Sequence, residues 1–290
     1  MSSPVARWLC RDRELDLGVP VVMGVLNVTP DSFSDGGEFL APGAALRHAL
    51  RMVEQGARII DVGGESTRPG AKPAPLAEEL ARVVPLIAAL RAETDAFISV
   101  DTSKAEVMRA AVDAGADIIN DVRGLREPGA LAAAAATRAG LCLMHMQGEP
   151  RSMQDAPRYA DVIADVRGFL AERIRACREA GIEAARLAID PGFGFGKRLV
   201  DNLVLLKSLA RLNDLGVPVV VGLSRKSMLA RLTGREVVDR TAGSLALATI
   251  AVLNGARIVR AHDVAATVDA VRVAAAVNQA SVQGEAFDAP

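Results

Sequence analysis

A short pattern recurs six times along the chain: a glycine that closes a predicted helix is followed within a few residues by an apolar run. The glycines that begin these repeats are Gly56, Gly115, Gly140, Gly181, Gly216 and Gly255. Glycine suits the position after a helix because it adopts a left-handed backbone at little cost. A continuous apolar run is typical of a strand that is buried on both faces, as in a parallel sheet. The repeat therefore predicts helices and parallel strands in alternation.

The length of the chain and the alternation of its elements favour a closed barrel. Eight predicted strands alternate with eight predicted helices, and the 290 residues suffice for a (β/α)8 TIM barrel, which typically needs about 250. An open, doubly wound α/β sheet is the alternative. Residues 5–17 predict two short strands around a polar turn. We therefore expect a hairpin that closes the bottom of the barrel (1–20), the barrel itself (21–280) and a flexible tail (281–290).

Polar side chains stand at the predicted carboxyl ends of the strands. They are Asn27, Asp61, Asp101, Asn120, Asp121, His145, Asp190, Lys226 and Arg260, with His262 just beyond. In a barrel these ends meet at one rim, where active sites are built. Any single member can instead cap the next helix or bond a neighbouring loop. A set this large predicts that several members bind a polar ligand at the rim.

Three members of this set predict the kind of ligand. Asp101, Asn120 and Asp190 follow strands three, four and six, so we expect them to converge in the barrel mouth. Their carboxylates and amide suit a flat heterocycle that carries an amino group beside a ring N–H. His145 lies between Met144 and Met146, which favours packing over catalysis or metal binding.

Basic residues collect after the last two strands and predict an anion site. Arg225 and Lys226 follow strand seven, and Arg260 and His262 follow strand eight. The loops at these places commonly bind phosphate in this fold, and residues 224–227 also begin a predicted helix whose free N–H groups attract anions. A solvated basic patch is the alternative. Asn27 offers one oxygen, which suits a Mg²⁺ ion held mainly by phosphate.

Two long loops have the composition of mobile lids. Residues 27–37 and 63–70 are rich in Gly, Ser and Pro, and loops of this length in a compact barrel are usually functional or disordered. Lids of this kind close over substrates and exclude water. We expect Asp35 of the first loop to pair with Arg68 of the second on closure.

Composition and charge argue against several other classes of protein. The net charge is −1 and no long basic run occurs, so neither nucleic acid nor an anionic membrane is an expected partner. No apolar stretch approaches the roughly 18 residues of a membrane span. Cys10, Cys142 and Cys177 are odd in number and lack metal-binding spacing, which predicts reduced thiols in a cytoplasmic protein.

Eight segments, in order, resemble the dihydropteroate synthase family over residues 21–275. They are MGVLNVTPDSFSDGG (23–37), DVGGESTRPG (61–70), SVDT (99–102), IND (119–121), MHMQG (144–148), DPGFGFGK (190–197), SRKS (224–227) and RAHD (260–263). A lone glycine-rich loop would be a weak signal, whereas this ordered set is specific. Arg198 stands where Thr is common and Ala261 where Val is common, and neither is expected to touch the chemistry.

The resemblance implies a function. The family are TIM-barrel enzymes, usually dimeric, that join 4-aminobenzoate to 6-hydroxymethyl-7,8-dihydropterin diphosphate with Mg²⁺, giving 7,8-dihydropteroate and diphosphate. It implies a dissociative mechanism in which diphosphate leaves first and the aryl amine traps a pterin-methyl cation. No protein nucleophile is then needed. Inhibition by sulfonamides, which mimic 4-aminobenzoate, is implied as well.

The resemblance also assigns site residues by motif. The implied pterin site comprises Asp101, Asn120, Met144, Asp190, Gly222 and Lys226. The implied diphosphate site comprises Asn27, Thr67, Arg68, Arg260 and His262, with Asn27 also holding the metal. The implied aminobenzoate pocket comprises Phe33, Thr67, Pro69, Phe195, Lys226 and Ser227. The implied catalytic residues are Asp35, Arg68 and Lys226, with Asp35 stabilising the cation.

Two other functions remain open at this point. A methyltetrahydrofolate-dependent methyltransferase shares the pterin-holding Asp and Asn residues, but it has no use for the two lid motifs or for Arg260 and His262. A pterin-binding relative without catalysis is the second alternative. Such a protein is expected to lose one of the residues Asn27, Asp35, Thr67, Arg68 or Lys226, and all of these are present.

Overall fold

The computed structural model describes residues 5–29, 42–66, 73–148, 153 and 157–280. Strands β1 (Arg7–Cys10) and β2 (Arg13–Asp16) form an antiparallel hairpin. The parallel strands that follow are β3 (Val21–Asn27), β4 (Ile59–Gly63), β5 (Phe97–Asp101), β6 (Ile118–Asp121), β7 (Gly140–Met144), β8 (Leu187–Asp190), β9 (Val220–Gly222) and β10 (Ile258–Ala261).

Helices separate the parallel strands throughout this part of the chain. They are α1 (Pro42–Glu54), α2 (Leu76–Glu93), α3 (Ala105–Asp113), α4 (Ala130–Ala136), α5 (Val162–Glu179), α6 (Leu199–Lys207), α7 (Ser227–Thr233), α8 (Thr241–Leu253) and α9 (Val264–Gln279). The sequence pattern predicts one helix over about 200–215, but α6 ends at Lys207 and a 3-10 helix, Leu209–Leu215, continues the segment.

The parallel strands close into a barrel. Their order is β8-β7-β6-β5-β4-β3-β10-β9, with every neighbouring pair parallel. The two ends of this order are joined where the Ile189 N–H donates to the Pro218 carbonyl at 2.9 Å. A β-bridge between Ile189 and Val219 lies at the same place. The predicted (β/α)8 barrel is therefore confirmed, and the open doubly wound sheet is wrong.

Alternate residues of each strand face opposite sides of the barrel wall. The outward residues pack against the helices in the main core. The first inward residues pack instead against Trp8, Cys10, Leu15 and Leu17 of the hairpin segment. These inward residues are Met23, Ile59, Phe97, Ile118, Cys142, Ala188, Val220 and Ile258. The hairpin thus fills the N-terminal end of the barrel. The predicted limits 1–20, 21–280 and 281–290 stay predictions, because residues 1–4 and 281–290 lie outside the described chain.

The glycines of the repeat behave as predicted, with one correction. Positive φ values between 72° and 117° occur at Gly56, Gly115, Gly181, Gly216 and Gly255. Gly140 instead begins β7, since α4 has already ended at Ala136. A Cβ on Gly140 would lie 2.6 Å from the Cys10 sulfur, so this glycine makes room for the hairpin.

At two helices the local sequence signals have a different outcome from the one they predict. Pro85 predicts a kink or a split in its helix, but α2 runs through it without a split. Pro85 is exposed, so the backbone hydrogen bond that it forfeits lies toward water. Ser103 and Glu106 have the spacing of a capping box, which predicts that Ser103 opens α3, but its hydroxyl donates to the Asp121 carboxylate instead. Lys104 stands at the N-cap with no side-chain cap bond.

Candidate active site

Above the apolar base, most of the inward side chains of the barrel are polar. The second inward residue of each strand lies two positions beyond the apolar set. These residues are Val25, Asp61, Ser99, Asn120, Met144, Asp190, Gly222 and Arg260. A third inward position adds Asn27, Gly63 and Asp101 on β3, β4 and β5. Strand alternation therefore places the predicted strand-end residues above the hairpin, at the carboxyl mouth of the barrel.

Arg260 ties two carboxylates together in this mouth. Its Nε donates to Asp61 Oδ2 at 2.6 Å, and its Nη2 donates to Asp101 Oδ2 at 2.8 Å. The Asn120 amide also donates to Asp61 Oδ2, at 3.2 Å. The other Asp61 oxygen and the Ser99 hydroxyl are buried without a hydrogen-bond partner. Since buried polar atoms are costly when unpaired, this part of the interior suits a polar group from a ligand or water.

Burial and neighbouring charges shift the pKa values of this cluster. Burial raises the pKa of Asp101 to about 7, although Arg260 acts in the opposite direction. Burial alone would lower the pKa of Arg260, but attraction to Asp61 and Asp101 outweighs it and raises the value. The Arg260 guanidinium therefore stays charged, while the protonation state of Asp101 depends on the groups that bind beside it.

Asp190 ends β8 and is fixed by the glycine-rich run 192–196. Its Oδ1 accepts from the Gly192 N–H at 2.7 Å, and burial raises the pKa of its carboxyl. Gly192 has φ 69°, and a Cβ there would lie only 1.9 Å from the His145 carbonyl oxygen. Only glycine fits where the turn crosses the end of β7.

Lys226 reaches over the same run from the start of α7. Its Nζ donates to the Phe193 carbonyl at 2.6 Å and lies 4.2 Å from the centre of the Phe195 ring. Burial lowers the pKa of Lys226 to about 8, while Asp190 acts in the opposite direction. The side-chain stem passes Gly194, where a Cβ would lie 3.1 Å from Lys226 Cδ.

A cavity of about 410 Å³ opens at this end of the barrel. Six of the predicted site residues line it, namely Asn27, Phe195, Lys226, Ser227, Arg260 and His262. Met153 adds an apolar wall and packs in one cluster with Met144, Met146 and Val122, against which Phe195 also packs. The cavity thus has a flat apolar side next to a charged side, as a heteroaromatic ligand requires.

The segment before α7 is held in an uncommon conformation. Arg225 has φ 57°, which a non-glycine residue adopts only when its surroundings enforce it. Its guanidinium bonds both carboxylate oxygens of Asp263, its N–H donates to the Ser244 hydroxyl, and its carbonyl accepts from Arg240. The next residue, Lys226, is thereby directed into the cavity. Close by, His262 Nδ1 lies 3.1 Å from the Ser224 hydroxyl.

Two strand-end residues serve structure rather than the cavity. Asp121 accepts from the Ser103 hydroxyl and from the N–H groups of Arg123 and Leu125, as the helix-cap or loop alternative predicted. His145 packs edge-on against Phe169, with ring centres 5.0 Å apart. Burial and then Lys197 lower the pKa of His145 to about 3, so it is neutral, consistent with the expected packing role.

Five predicted site residues lie outside the described chain: Phe33, Asp35, Thr67, Arg68 and Pro69. Their roles stay predictions. Ser66, the last described residue before residues 67–72, lines the cavity. The unusual residues also stand apart from the chemistry as expected: Arg198 is exposed and binds Asp201 at the start of α6, and Ala261 is buried in the core.

Three residues of the site lie within the quoted motifs but received no role from them. Asp61 was a strand-end candidate without an assigned role, and Ser99 was not singled out. Both were detectable from strand alternation, because each lies two residues before another inward residue. Lys197 ends the glycine-rich segment and is almost fully buried. Its role depends on contacts with residues 145, 192 and 195, which no local pattern reveals.

The donor atoms at the cavity limit how a metal would bind. Among the described residues, no group of three or more His, Cys, Asp or Glu side chains is placed to hold a metal ion. Asn27 lines the cavity, and its side chain has one amide oxygen. This oxygen fits a Mg²⁺ ion that takes most of its ligands from phosphate and water.

Comparison with protein families identifies the class of this site. A family model described as "Pterin binding enzyme" matches residues 23–262, from the third residue of β3 to the residue after β10. The dihydropteroate synthase of Escherichia coli strain K12 is 54% identical over 259 residues, which cover 89% of this chain and 92% of that protein. The chain belongs to the dihydropteroate synthase family of pterin-binding enzymes, as its motifs predicted.

Solved structures agree with this assignment. A Yersinia pestis dihydropteroate synthase with a sulfonamide drug complex has a TM-score of 0.92 at 50% identity and covers 94% of this chain and 100% of its own. A Xanthomonas albilineans dihydropteroate synthase with 4-aminobenzoic acid has a TM-score of 0.89 at 55% identity, covering 97% and 100%. The Xanthomonas albilineans enzyme in complex with 7,8-dihydropteroate has a TM-score of 0.86 at 52% identity, covering 95% and 100%.

Proposed function

We propose that this chain transfers the pterin-methyl group of 6-hydroxymethyl-7,8-dihydropterin diphosphate to the amine of 4-aminobenzoate. The products are 7,8-dihydropteroate and diphosphate. The observation that carries the proposal is a cavity at the barrel mouth whose wall residue Arg260 also bonds the buried carboxylates of Asp61 and Asp101. The relatives that bind 4-aminobenzoic acid and 7,8-dihydropteroate support the same reaction.

The pterin binds below the cavity lining, toward the buried carboxylates that Arg260 connects to the cavity. Asp101, Asn120 and Asp190 offer acceptors in a buried setting, where an amino group beside a ring N–H donates two parallel hydrogen bonds to one carboxylate. Met144 forms part of the apolar wall for the ring face. Gly222 leaves space on β9, because a Cβ there would meet no atom within 4 Å. Lys226 holds the edge of the ring.

The diphosphate binds at the basic rim with Asn27, Arg260, His262 and the loop residues Thr67 and Arg68. Arg260 already binds Asp61 and Asp101 through Nε and Nη2, which leaves its Nη1 group for an anion. Mg²⁺, held by Asn27 and the diphosphate oxygens, would neutralise charge on the leaving group. His262 lines the same cavity wall.

The aminobenzoate ring packs near Phe195 and Lys226, with its carboxylate near Ser227, and Phe33, Thr67 and Pro69 complete the pocket. Phe195 is half-buried and faces the Lys226 ammonium. Ser227 is exposed at the mouth of the cavity, where a carboxylate stays solvated. This arrangement places the second substrate outside the pterin, so the pterin binds in the deeper position.

The electrostatics favour departure of diphosphate before attack by the amine. Asp61, Asp101 and Asp190 put negative charge around the pterin in a water-poor interior, where fixed charges stabilise a developing cation strongly. Asp35 adds to this stabilisation, and Arg68 and Lys226 complete the catalytic set. Cys142 lies below the floor, and burial raises the pKa of its thiol well above the ordinary value, so it stays protonated.

The protein acts as a cytoplasmic homodimer in this proposal. The cysteines Cys10, Cys142 and Cys177 are buried and unpaired, which is consistent with a reducing compartment. No helix in the described ranges has the length and apolar character to cross a membrane. Helix α8 contains no charged residue, yet Ile250 and Leu253 are exposed on it, which favours a second copy of the chain as its cover.

The decisive experiment is a direct assay of product. Purified protein is mixed with the pterin diphosphate, Mg²⁺ and labelled 4-aminobenzoate, and labelled dihydropteroate is separated by chromatography. We expect product that disappears when Mg²⁺ is chelated or when the pterin alcohol replaces the diphosphate. Binding of pterin without any product would reject the proposal in favour of a non-catalytic or methyltransferase function.

A further inference from the structure

Two buried titratable side chains near the cavity have no role in the reaction as proposed. Lys197 is only 3% exposed, and His145 is buried beside it. The Lys197 ammonium donates to the carbonyls of Gly192 at 2.8 Å and Phe195 at 3.2 Å. Its third contact is His145 Nδ1, at 3.0 Å. A lysine ammonium has three N–H groups and no acceptor, so these three partners use all of its donors.

The contact fixes the protonation state of His145. While Lys197 is an ammonium it can only donate, so His145 Nδ1 then accepts and the ring proton lies on Nε2. The ring is held in place by its edge-on contact with Phe169. Burial lowers the pKa of Lys197 to about 7, and Asp190 partly opposes that shift. A buried ammonium persists where its donors are all satisfied, as they are here.

The glycine-rich run connects Lys197 to three residues of the site. Gly192 donates its N–H to Asp190 and accepts from Lys197 through its carbonyl. The Phe193 carbonyl accepts from Lys226. Phe195 accepts from Lys197 through its carbonyl, and its ring faces the Lys226 ammonium. The positions of Asp190, Lys226 and the Phe195 ring therefore all depend on the backbone of residues 192–195.

Two further side chains anchor the run, and they bond different backbone groups from those that Lys197 bonds. The Tyr159 hydroxyl donates to the Gly196 carbonyl at 2.7 Å, at the far end of the run. The Asn202 amide oxygen accepts from the Gly194 N–H at 2.8 Å, on the side toward α6. Lys197 differs from both, because it bonds the carbonyls of Phe195 and of Gly192, the residue whose N–H bonds the Asp190 carboxylate.

We propose that Lys197, with His145 as its fixed acceptor, is a positioning residue that sets the 192–195 backbone so that Asp190, Phe195 and Lys226 meet the substrates. It acts through these residues and does not touch the substrates itself. The inference rests on the proposed function, because it concerns binding of the pterin and of 4-aminobenzoate.

The first test replaces the ammonium with an apolar side chain of similar length. In Lys197→Met, the Phe195 carbonyl loses its lysine donor and the Gly192 carbonyl keeps only the Phe195 N–H. We therefore expect the dissociation constant of 7,8-dihydropteroate to rise by about tenfold. Titration calorimetry measures it. The KM values of both substrates should rise more than kcat falls, because positioning for binding is what is lost.

Two controls separate positioning from general loosening. Tyr159→Phe removes a hydrogen bond from the same run at Gly196, and Lys207→Met removes an exposed lysine from α6. We expect both to bind 7,8-dihydropteroate within about twofold of the wild type. Circular dichroism and thermal unfolding verify that each variant is folded. A folded Lys197→Met protein with wild-type binding and KM values overturns the proposal.

A second pair of variants decides the matter if Lys197→Met fails to fold. His145→Asn keeps an acceptor near the position of Nδ1, whereas His145→Leu removes it. We expect the asparagine variant to bind like the wild type and the leucine variant to lose affinity by about tenfold. Equal affinities in the two variants overturn the proposal. If the wild type binds 7,8-dihydropteroate but forms none from its substrates, the proposed function fails, while these binding comparisons still test the positioning.

Discussion

Asp61, Asp101 and Asp190 place three carboxylates in the barrel mouth with the cations of Lys226 and Arg260. Buried charges of one sign in excess are unfavourable until a partner compensates them. The raised pKa values of Asp101 and Asp190 express this cost, and burial is its first cause in both. A ligand rich in N–H donors, such as a pterin, relieves it. The free site is therefore less stable than it would be with neutral side chains.

The pH dependence of stability should report this cost at Asp101. Its folded pKa of about 7 lies above its unfolded value of roughly 3.9. Its contribution to stability is therefore fully present below the unfolded pKa and is lost as the pH rises through the folded one. Asp101→Asn removes this titration. The unfolding free energy of Asp101→Asn minus that of the wild type should therefore increase as the pH rises from about 5 to about 8.

Urea unfolding at the two pH values measures that difference. Asp113→Asn at the exposed end of α3 is the control and should show no such trend. A difference between Asp101→Asn and the wild type that does not change with pH would contradict the assigned ionisation. Saturation with 7,8-dihydropteroate should reduce the trend, because the ligand supplies donors to the carboxylate.

Gly222 permits a steric test of the pterin slot. A Cβ there would meet no atom within 4 Å, and the previous inward residue of β9, Val220, packs against the hairpin. The added side chain of Gly222→Val would therefore project into the open interior beside Arg260. We expect affinity for 7,8-dihydropteroate to fall by at least about tenfold. Valine suits a strand, so the thermal midpoint should hardly change.

Gly168→Val is the matched control for this substitution. A Cβ at Gly168 also meets nothing within 4 Å, but this glycine is exposed on α5. Calorimetric titration of both variants should show lost binding in Gly222→Val alone. Wild-type affinity in Gly222→Val would place the pterin elsewhere in the barrel.

Residue types at strand ends predicted much of the site but not the direction of each side chain. Asn120 and Asp121 are adjacent and both polar, and sequence grouped them together. Strand alternation turns Asn120 inward to Asp61, while Asp121 accepts from Ser103 and loop N–H groups. The orientation follows from the register of the strand, which requires the positions of its apolar neighbours rather than the residue type alone.

Between β4 and α2, an ion cluster holds the two ends of the segment that contains residues 67–72. Lys104 donates to both Glu65 and Glu79, and Glu65 also accepts from the Ala74 N–H at 3.1 Å. Glu79 is fully buried on α2 and also accepts from the Thr102 hydroxyl. The start of α3, the end of β4 and the start of α2 are thus joined through one ammonium group.

Removal of this ammonium should be costly, and part of the cost should be recoverable. Lys104→Met leaves the buried Glu79 carboxylate without its cation, so we expect a loss of about 3 kcal/mol in the unfolding free energy. Adding Glu79→Gln removes the uncompensated charge and should restore at least about 1 kcal/mol. Urea denaturation of the wild type, the single variants and the double variant measures both. Strictly additive effects would show that the two groups do not interact in the folded protein.

Elements were predicted best where local chemistry decides them and worst where distant residues do. The apolar runs and most of the glycines gave the strands and helix ends, because those signals act within a few residues. Gly140 was misinterpreted because its partners, Trp8 and Cys10, come from the hairpin more than a hundred residues earlier. Ser103 failed as a cap for the same reason, since Asp121 of the next strand takes its hydroxyl.

Along the barrel axis, the residues that stabilise the fold lie at one end and the residues of the candidate site lie at the other. The hairpin and the first inward residues form an apolar base, and the polar cluster lies directly above it. The glycine repeat predicted the barrel and the position of its mouth, but nothing in the sequence predicted the ion pair between Arg260 and Asp61. These residues lie on β10 and β4 and meet only because the closed barrel brings both strands to β3.

The proposed homodimer can be tested on the outer face of α8. This helix holds no charged residue, and Ile250 and Leu253 are 42% and 44% exposed on it. In a twofold interface the same patch meets its own copy, so two introduced charges on each chain would face like charges. We expect light scattering to give the wild type a molar mass of twice that of one chain. The double variant Ile250→Asp/Leu253→Asp should have the mass of one chain. Val200→Asp on α6, 54% exposed in the wild type, should stay dimeric. A dimeric double variant would place the interface on another face. A folded monomer would still hold, in each barrel, all of the described cavity residues. Its turnover per chain should therefore equal that of the wild type.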